Sequence, residues 1–271
     1  MNGRVHNTAL KLVDDLVAEG ITYFTFEEAR RRFNRSPSAT ANLLRRMIDH
    51  GLVDRVRRGH YVIRRLGVLG TRAAAEDLAI VVAAVFAGHP HRMAYRTALD
   101  EHDLIAHSVR TVHVATVKRM RVKNLSGRTL RTVAEPAHKI RVGAMALGPS
   151  WISDLERSLL DAAARPELAG GVAVIAGAVA AADGRVCPER LANYAKQLEW
   201  KAALRRIGSI ADTLDIKGLA GKLAPLEVPV ADINLEPGAD IPVDTAQTYR
   251  DPRWRVRWAC SPAEIESVVR Q

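Results

Sequence analysis

Cysteine is almost missing from this 271-residue chain: only Cys187 and Cys260 occur. Neither stands in a metal-ligand spacing, which excludes a disulfide framework and a cysteine-based zinc site. Long apolar runs are missing too. The longest, near 78–87 and 171–182, fall short of the roughly 20 residues that cross a bilayer. The start, Met1-Asn2-Gly3-Arg4-Val5-His6, has no apolar stretch of the signal-peptide kind, so a reducing cytoplasm is the expected location. No internal repeat, no GxSxG, no P-loop and no dinucleotide fingerprint appear. His89, His91, His102, His107 and His113 crowd together, but without an HExxH spacing or cysteine support, so no metal or other cofactor is expected. Asp154, Glu156 and Asp161 surround Arg157 and read as helix-surface ion pairs rather than an acid–base set. No enzyme is expected.

What is present is positive charge in two places. The chain has 40 Lys+Arg against 30 Asp+Glu, a net of +10. Residues 1–66 hold 13 basic and 7 acidic residues, and 110–141 hold 9 and 1. The stretches 67–109 and 142–271 each come to −2, so two segments carry the whole excess. That distribution points to a polyanionic partner rather than an evenly solvated surface. Hydrophobic residues at 48% and charged residues at 26% describe a folded chain of two or three domains.

The N-terminal segment is the most informative. Residues 8–19 place Leu10, Val13, Leu16 and Val17 on one helical stripe, ended by Gly20. Thr25-Phe26-Glu27-Glu28 is a capping box that opens a second helix to about Phe33. After Asn34-Arg35, Ser36 suits an N-cap and Pro37 the first helical position, which starts a third helix over 37–50. On it Ala41, Leu44, Met47 and Ile48 are expected inward. Ser38, Asn42, Arg45 and Asp49 are expected outward, with Thr40 and Arg46 at the flanks. Hydroxyl, amide and guanidinium groups on one helix face are the set that reads base edges and phosphates in a major groove. Residues 52–57 and 61–65 then form two β-rich arms around Arg58-Gly59-His60, carrying Arg55, Arg57, Arg58, Arg64 and Arg65. A basic hairpin after a helical pair is a wing placed to hold phosphate. The candidate DNA-binding set is Ser36, Ser38, Thr40, Asn42, Arg45, Arg46, Arg57, Arg58 and His60; a protein-docking use of the same module is the competing reading. Arg30-Arg31-Arg32 reads equally as phosphate contact or solvated surface.

Beyond a short linker near 67–71, helices are expected over 74–87 and 92–102, and strands over 111–117, 120–123, 128–134 and 139–146. These strands carry Arg110, Lys118, Arg119, Arg121, Lys123, Arg128, Arg131, Lys139 and Arg141. Lys118, Arg119, Arg121, Lys123, Arg128 and Arg131 make a candidate second basic surface on an antiparallel sheet. Ser153 is read as the N-cap of a helix ended by Pro166, and Gly170-Gly171 as a turn into a buried helix. Helices at 188–198 and 201–214 and a closing strand at 253–258 complete an α+β chain. It divides into a winged helix-turn-helix at 1–68 and a mixed region at 72–271, an antiparallel sheet with a helical bundle and a sub-boundary near 148.

The segment Asp154-Leu155-Glu156-Arg157-Ser158-Leu159-Leu160-Asp161, continued by Arg165-Pro166 and Gly170-Gly171-Val172, resembles a signature of the AbiEi antitoxins of type IV toxin–antitoxin (abortive infection) systems, E-x-x-L-L-D…R-P-x-x-x-G-G. The Tyr95 to His102 stretch is similar to that family's SALxxHGL element, with Asp103 where the family has glycine, and Arg253-Trp254-Arg255-Val256 resembles its terminal strand. The resemblance implies a winged helix that binds repeats in its own promoter and represses its operon. It also implies a C-terminal region that antagonises a cognate nucleotidyltransferase toxin without a stable complex. Recognition positions carried over by element are Ser38, Thr40, Asn42, Arg45 and Arg46, with Arg57 and Arg58 on the wing. Two other readings stay open: a winged-helix regulator whose C-terminal region senses a ligand or protein, and a DNA- or RNA-processing enzyme targeted by its winged helix.

Overall fold

A computed structural model describes residues 2–63, 71–106, 110–117, 128–239, 241 and 248–269. By contact the chain forms two compact units, one built on residues 1–89 with two short later segments and one on the remainder.

In the first unit α1 (Asn2–Ala18), β1 (Tyr23–Thr25), α2 (Phe26–Phe33), α3 (Pro37–Asp49), β2 (Val53–Arg57), β3 (His60–Ile63) and α4 (Thr71–Val85) follow in order. The strands pair antiparallel as β1-β3-β2. Helices α1 to α3 with this small sheet are a winged helix, and its hairpin turns at Gly59, where φ is +78°. Helix α1 stops at Gly20, whose φ of +71° only glycine adopts at no cost. Its buried stripe is Ala9, Leu12 and Leu16. Of the expected stripe, Leu16 is buried and Val13 packs half-buried against the core, whereas Leu10 and Val17 each lie one residue, roughly 100°, round the helix from a buried position and are 37% and 47% exposed.

The capping box at α2 is complete. Glu28 N donates to Thr25 Oγ1 at 3.2 Å, and Thr25 N donates back to Glu28 Oε2 at 2.6 Å. Asn34, left-handed at φ +46°, ends that helix. Ser36 caps α3, accepting from Ala39 N at 3.3 Å, with Pro37 in the first turn. Phe24, Leu44, Met47 and Tyr61 fill the space between helices and sheet, Phe24 stacked on Tyr61 at 5.6 Å. Burial of four such side chains at ~1.5–3 kcal/mol each outweighs any single cap.

The second unit begins with β4 (His91–Met93), α5 (Arg96–Glu101), β5 (Thr111–Thr116), β6 (Thr129–Ala134), α6 (Ala137–Arg141), β7 (Ala144–Leu147) and β8 (Ser150–Ser153). The five strands form one sheet in the order β6-β5-β4-β8-β7. Strand β4 runs antiparallel to β5, with Arg92 opposite Ala115, and parallel to β8, with Met93 opposite Ile152. The single helix expected over 92–102 is therefore corrected. Arg92 and Met93 are strand, and Tyr95, at φ +54°, breaks the chain before α5. The strand expected over 139–146 is corrected as well: Pro136 opens α6, and only after Gly143, at φ +64°, does β7 begin. Strand β5 is buried on both faces, not one. The strand expected over 120–123 lies outside the described residues.

The remaining elements are α7 (Leu155–Ala164), α8 (Pro166–Ala169), α9 (Val172–Ala181), α10 (Pro188–Leu198), α11 (Lys201–Thr213), β9 (Ile233–Asn234), β10 (Tyr249–Asp251), β11 (Val256–Trp258) and α12 (Pro262–Val269). Helix α12 was not expected. Helices α7, α9, α10 and α11 share a core with Trp254 and Trp258. The closing strand is shorter than expected because residues 252–255 turn, with Asp251 Oδ1 accepting from both Arg253 N and Trp254 N. That turn drops the Trp254 ring onto α11 at Gly208, where any Cβ would collide with the indole.

Candidate nucleic-acid interface

Helix α3 buries Thr40, Leu43, Leu44 and Met47 and leaves Ser38, Ala41, Asn42, Arg45, Arg46 and Asp49 exposed. Ser38, Asn42, Arg45 and Asp49 follow one another at i, i+4, i+7 and i+11, so they form one solvent-facing row. Two of the expected positions change sides. Thr40 is fully buried, and its hydroxyl donates to Ser36 O at 3.0 Å. A threonine whose hydroxyl bonds back into its own helix has no free group for a base, so Thr40 drops out of the set. Ala41, expected inward, is exposed beside Asn42.

Ser36 is exposed and occupied in capping, with Ser38 Oγ 3.2 Å from its own oxygen. At the hairpin turn Arg58 is exposed, and Arg57 ends β2 with its side chain outside what is described. His60 is half-buried. Its Nδ1 bonds the Tyr23 hydroxyl and its ring stacks on Tyr23 at 5.8 Å. Tyr23 was missed because β1 is only three residues long, too short for an alternation to register. Arg32 is a strut, both guanidinium nitrogens reaching Glu19 at 2.8 and 2.6 Å, and Arg30 sits 3.2 Å from Glu27. Of the second basic surface, Arg128 is half-buried and Arg131 exposed. Lys118, Arg119, Arg121 and Lys123 lie outside the described residues.

The signature segment is in the interior, not on a helix surface. Asp154, not Ser153, caps α7, accepting from Arg157 N at 2.8 Å. Ser153 ends β8 instead and donates to Asp161 at 2.7 Å. Arg92, Arg157 and Asp161 are fully buried and Glu135 nearly so. Asp161 lies 2.6 Å from Arg92 and 2.7 Å from Arg157, and Glu135 lies 3.2 and 3.0 Å from the same two. Two cations thus face two anions. The spare guanidinium protons go to carbonyls of Ile140, Lys139 and Val142, and Arg157 also stacks over Trp200 at 4.6 Å. Burial opposes the Asp161 charge, but Arg157 and Arg92 outweigh it and hold the carboxyl below its usual range. Burial also opposes the Arg92 charge, and Asp161 and Glu135 reverse that. Tyr95 donates to Glu135 at 3.1 Å, and its hydroxyl is pushed up by burial and the neighbouring carboxylates. A neutral, fully hydrogen-bonded set of this kind fixes structure rather than moving protons. Among the described residues no group of histidine, cysteine or carboxylate side chains is arranged to hold a metal.

An exposed polar helix face beside a basic hairpin, on this topology, defines a winged-helix module. Residues 11–64 match the model of the family described as transcriptional regulator, AbiEi antitoxin. The match is confined to the N-terminal segment, which is thus similar to the transcriptional regulators of the AbiEi antitoxin family. No curated protein matches the sequence. The fold is similar to that in the crystal structure of the Rv2827c protein from Mycobacterium tuberculosis. The TM-score is 0.65 at 14% identity, over 97% of this chain and 94% of that one, and this likeness is one of fold alone.

Proposed function

We propose that this chain binds duplex DNA at repeats in its own promoter, laying α3 in the major groove and the β2–β3 hairpin against the backbone. Residues 1–68 carry that task, and residues 72–271 antagonise a cognate nucleotidyltransferase toxin without forming a stable complex with it. The observation that supports the DNA half is the outward row Ser38, Asn42, Arg45 on α3, flanked by Arg46 and followed by Arg58 at the hairpin turn. Asparagine and arginine are the side chains that pair bidentately with adenine and guanine edges, whereas an arginine at a wing tip meets phosphate. The antitoxin half rests on the family match. No helix among the described residues is long and apolar enough to cross a membrane.

Binding of the chain to its own upstream DNA over a salt series tests the first half. Log K falls against log salt by about 0.9 per phosphate neutralised. Equal affinity for the upstream repeats and for random duplex overturns the repressor reading. Co-expression of the full chain, or of residues 1–68, with the neighbouring toxin tests the second half: rescue by the full chain alone supports it, and no rescue by either refutes it.

A further inference from the structure

Four buried side-chain polar atoms of the second unit have no partner among the described residues, on Thr213, Asn234, Arg257 and His113. The imidazole is the one on the five-stranded sheet, its Nδ1 unpaired in a side chain 5% exposed. An orphaned donor or acceptor at that depth is costly unless something completes it. His113 stands on β5 two residues before Ala115, and side chains two apart share a sheet face. Ala115 packs with Ala94, Tyr95, Val133 and Leu168 of α8. His113 therefore points to the side of the sheet that α8 covers, where the chain turns at Gly170-Gly171 into α9. Arg131 precedes Val133 by two residues on β6 and joins the same side.

From above, Arg96 at the start of α5 closes the cluster. Its guanidinium lies so close to Gly170 that a Cβ there would meet it, and both Gly170 and Gly171 hold positive φ, +107° and +95°. Gly171 caps α9 without a side chain, so the N-cap residue supplies no side-chain oxygen to the first amides of that ten-residue helix. Neither Arg96 nor Arg131 has an ion-pair partner among the described residues. After burial, these two arginines are what push the His113 imidazole down to about 4.

We propose that Arg96, Arg131, His113 and the uncapped start of α9 hold a small phosphoryl dianion. The neutral imidazole donates from Nδ1 to a phosphate oxygen, and the guanidiniums supply paired donors. The depth of His113 limits the ligand to free phosphate or the terminal phosphate of a small molecule; a nucleic-acid backbone does not reach it. The site is independent of the DNA-binding reading, because nothing in it belongs to the winged helix.

The test uses the full chain, with imidazole-nitrogen NMR of His113 and calorimetry against inorganic phosphate and adenosine 5′-monophosphate. Sodium chloride at matched ionic strength is the control. Saturable phosphate binding is expected, with the His113 titration moved upward when phosphate is present. Arg131→Ala, an exposed position that leaves folding intact, weakens binding at least tenfold, and Arg96→Ala does the same. Tighter binding of the monophosphate than of phosphate assigns a nucleotide-like source; equal binding assigns free phosphate. If phosphate acts no differently from chloride, or both arginine variants bind as the parent does, the site is overturned. No DNA enters the assay, so its result and that of the operator experiment are read separately.

Discussion

Replacing Asp161 by asparagine keeps the size of the side chain and removes its charge. In the parent, its two oxygens meet Arg92 at 2.6 and 3.4 Å, Arg157 at 2.7 Å and Ser153 at 2.7 Å. The variant turns an amide NH2 toward a guanidinium, and two fully buried arginines then share Glu135 alone. Breaking a buried pair by removing one partner costs roughly 3–5 kcal/mol, because the remaining charge stays desolvated. Against a total of about 5–15 kcal/mol that is a large fraction. At roughly 2–4 °C per kcal/mol for a region of this size, the thermal midpoint falls by about 6–20 °C. Urea unfolding of the full chain, followed by the fluorescence of the buried Trp254 and Trp258, measures the loss directly. A deficit below about 1 kcal/mol refutes the claim that Asp161 neutralises two desolvated arginines. The pH dependence has a definite sign. Asp161 titrates lower folded than unfolded, so its contribution is complete at neutral pH and is lost only as acid passes below the ordinary carboxylate range.

Thr25→Ala removes the hydroxyl half of the capping box and costs about 1 kcal/mol, visible as a lower urea midpoint at unchanged slope. Gly208→Ala drives a methyl into the Trp254 ring and destabilises by about 1–3 kcal/mol or more; a neutral result contradicts the close packing described. His113 is held near 4 against an unfolded value of 6.5, so the unfolded chain binds the proton first on acidification. Stability therefore declines as pH drops from about 6.5 towards 4, by about 1.4 kcal/mol per unit at most, and His113→Asn flattens that slope. Arg45→Ala costs operator binding roughly 1–3 kcal/mol and relaxes preference at one base pair, whereas Arg58→Ala weakens all sequences alike; a uniform loss for both removes Arg45 from base reading.

The parts legible in the sequence are those whose cause is local. Thr25 with Glu28, Ser36 with Pro37, and Gly20 each carry their own reason within four residues, and α2, α3 and the end of α1 fall where those signals put them. The amphipathic helices α10 and α11 were equally plain. Strand β1 was not, since three residues acquire strand geometry only by pairing with β3, about 37 positions on. Thr40 misled because a small hydroxyl residue suits either side of a helix, and only the packing of α3 decides. The largest gap was the Asp154 to Asp161 segment. Its acid and base spacing is that of an ordinary surface helix, while Arg92 and Glu135, which draw it inside, lie 69 and 26 positions before Asp161. A charge pattern along one helix carries no information about what a distant strand brings to meet it.

The placement of Arg92 bears on how the sheet avoids misassembly. Side chains alternate across a strand, so a one-residue slippage of β4 against β5 and β8 would carry the guanidinium to the opposite surface and leave Asp161 and Glu135 in a dry interior with Arg157 as the one arginine between them. Apolar neighbours such as Met93 and Ala94 tolerate being exchanged; an unbalanced buried charge does not. The central strand thus has a built-in error check, and near-miss pairings that an all-aliphatic strand would accept are rejected while the chain folds.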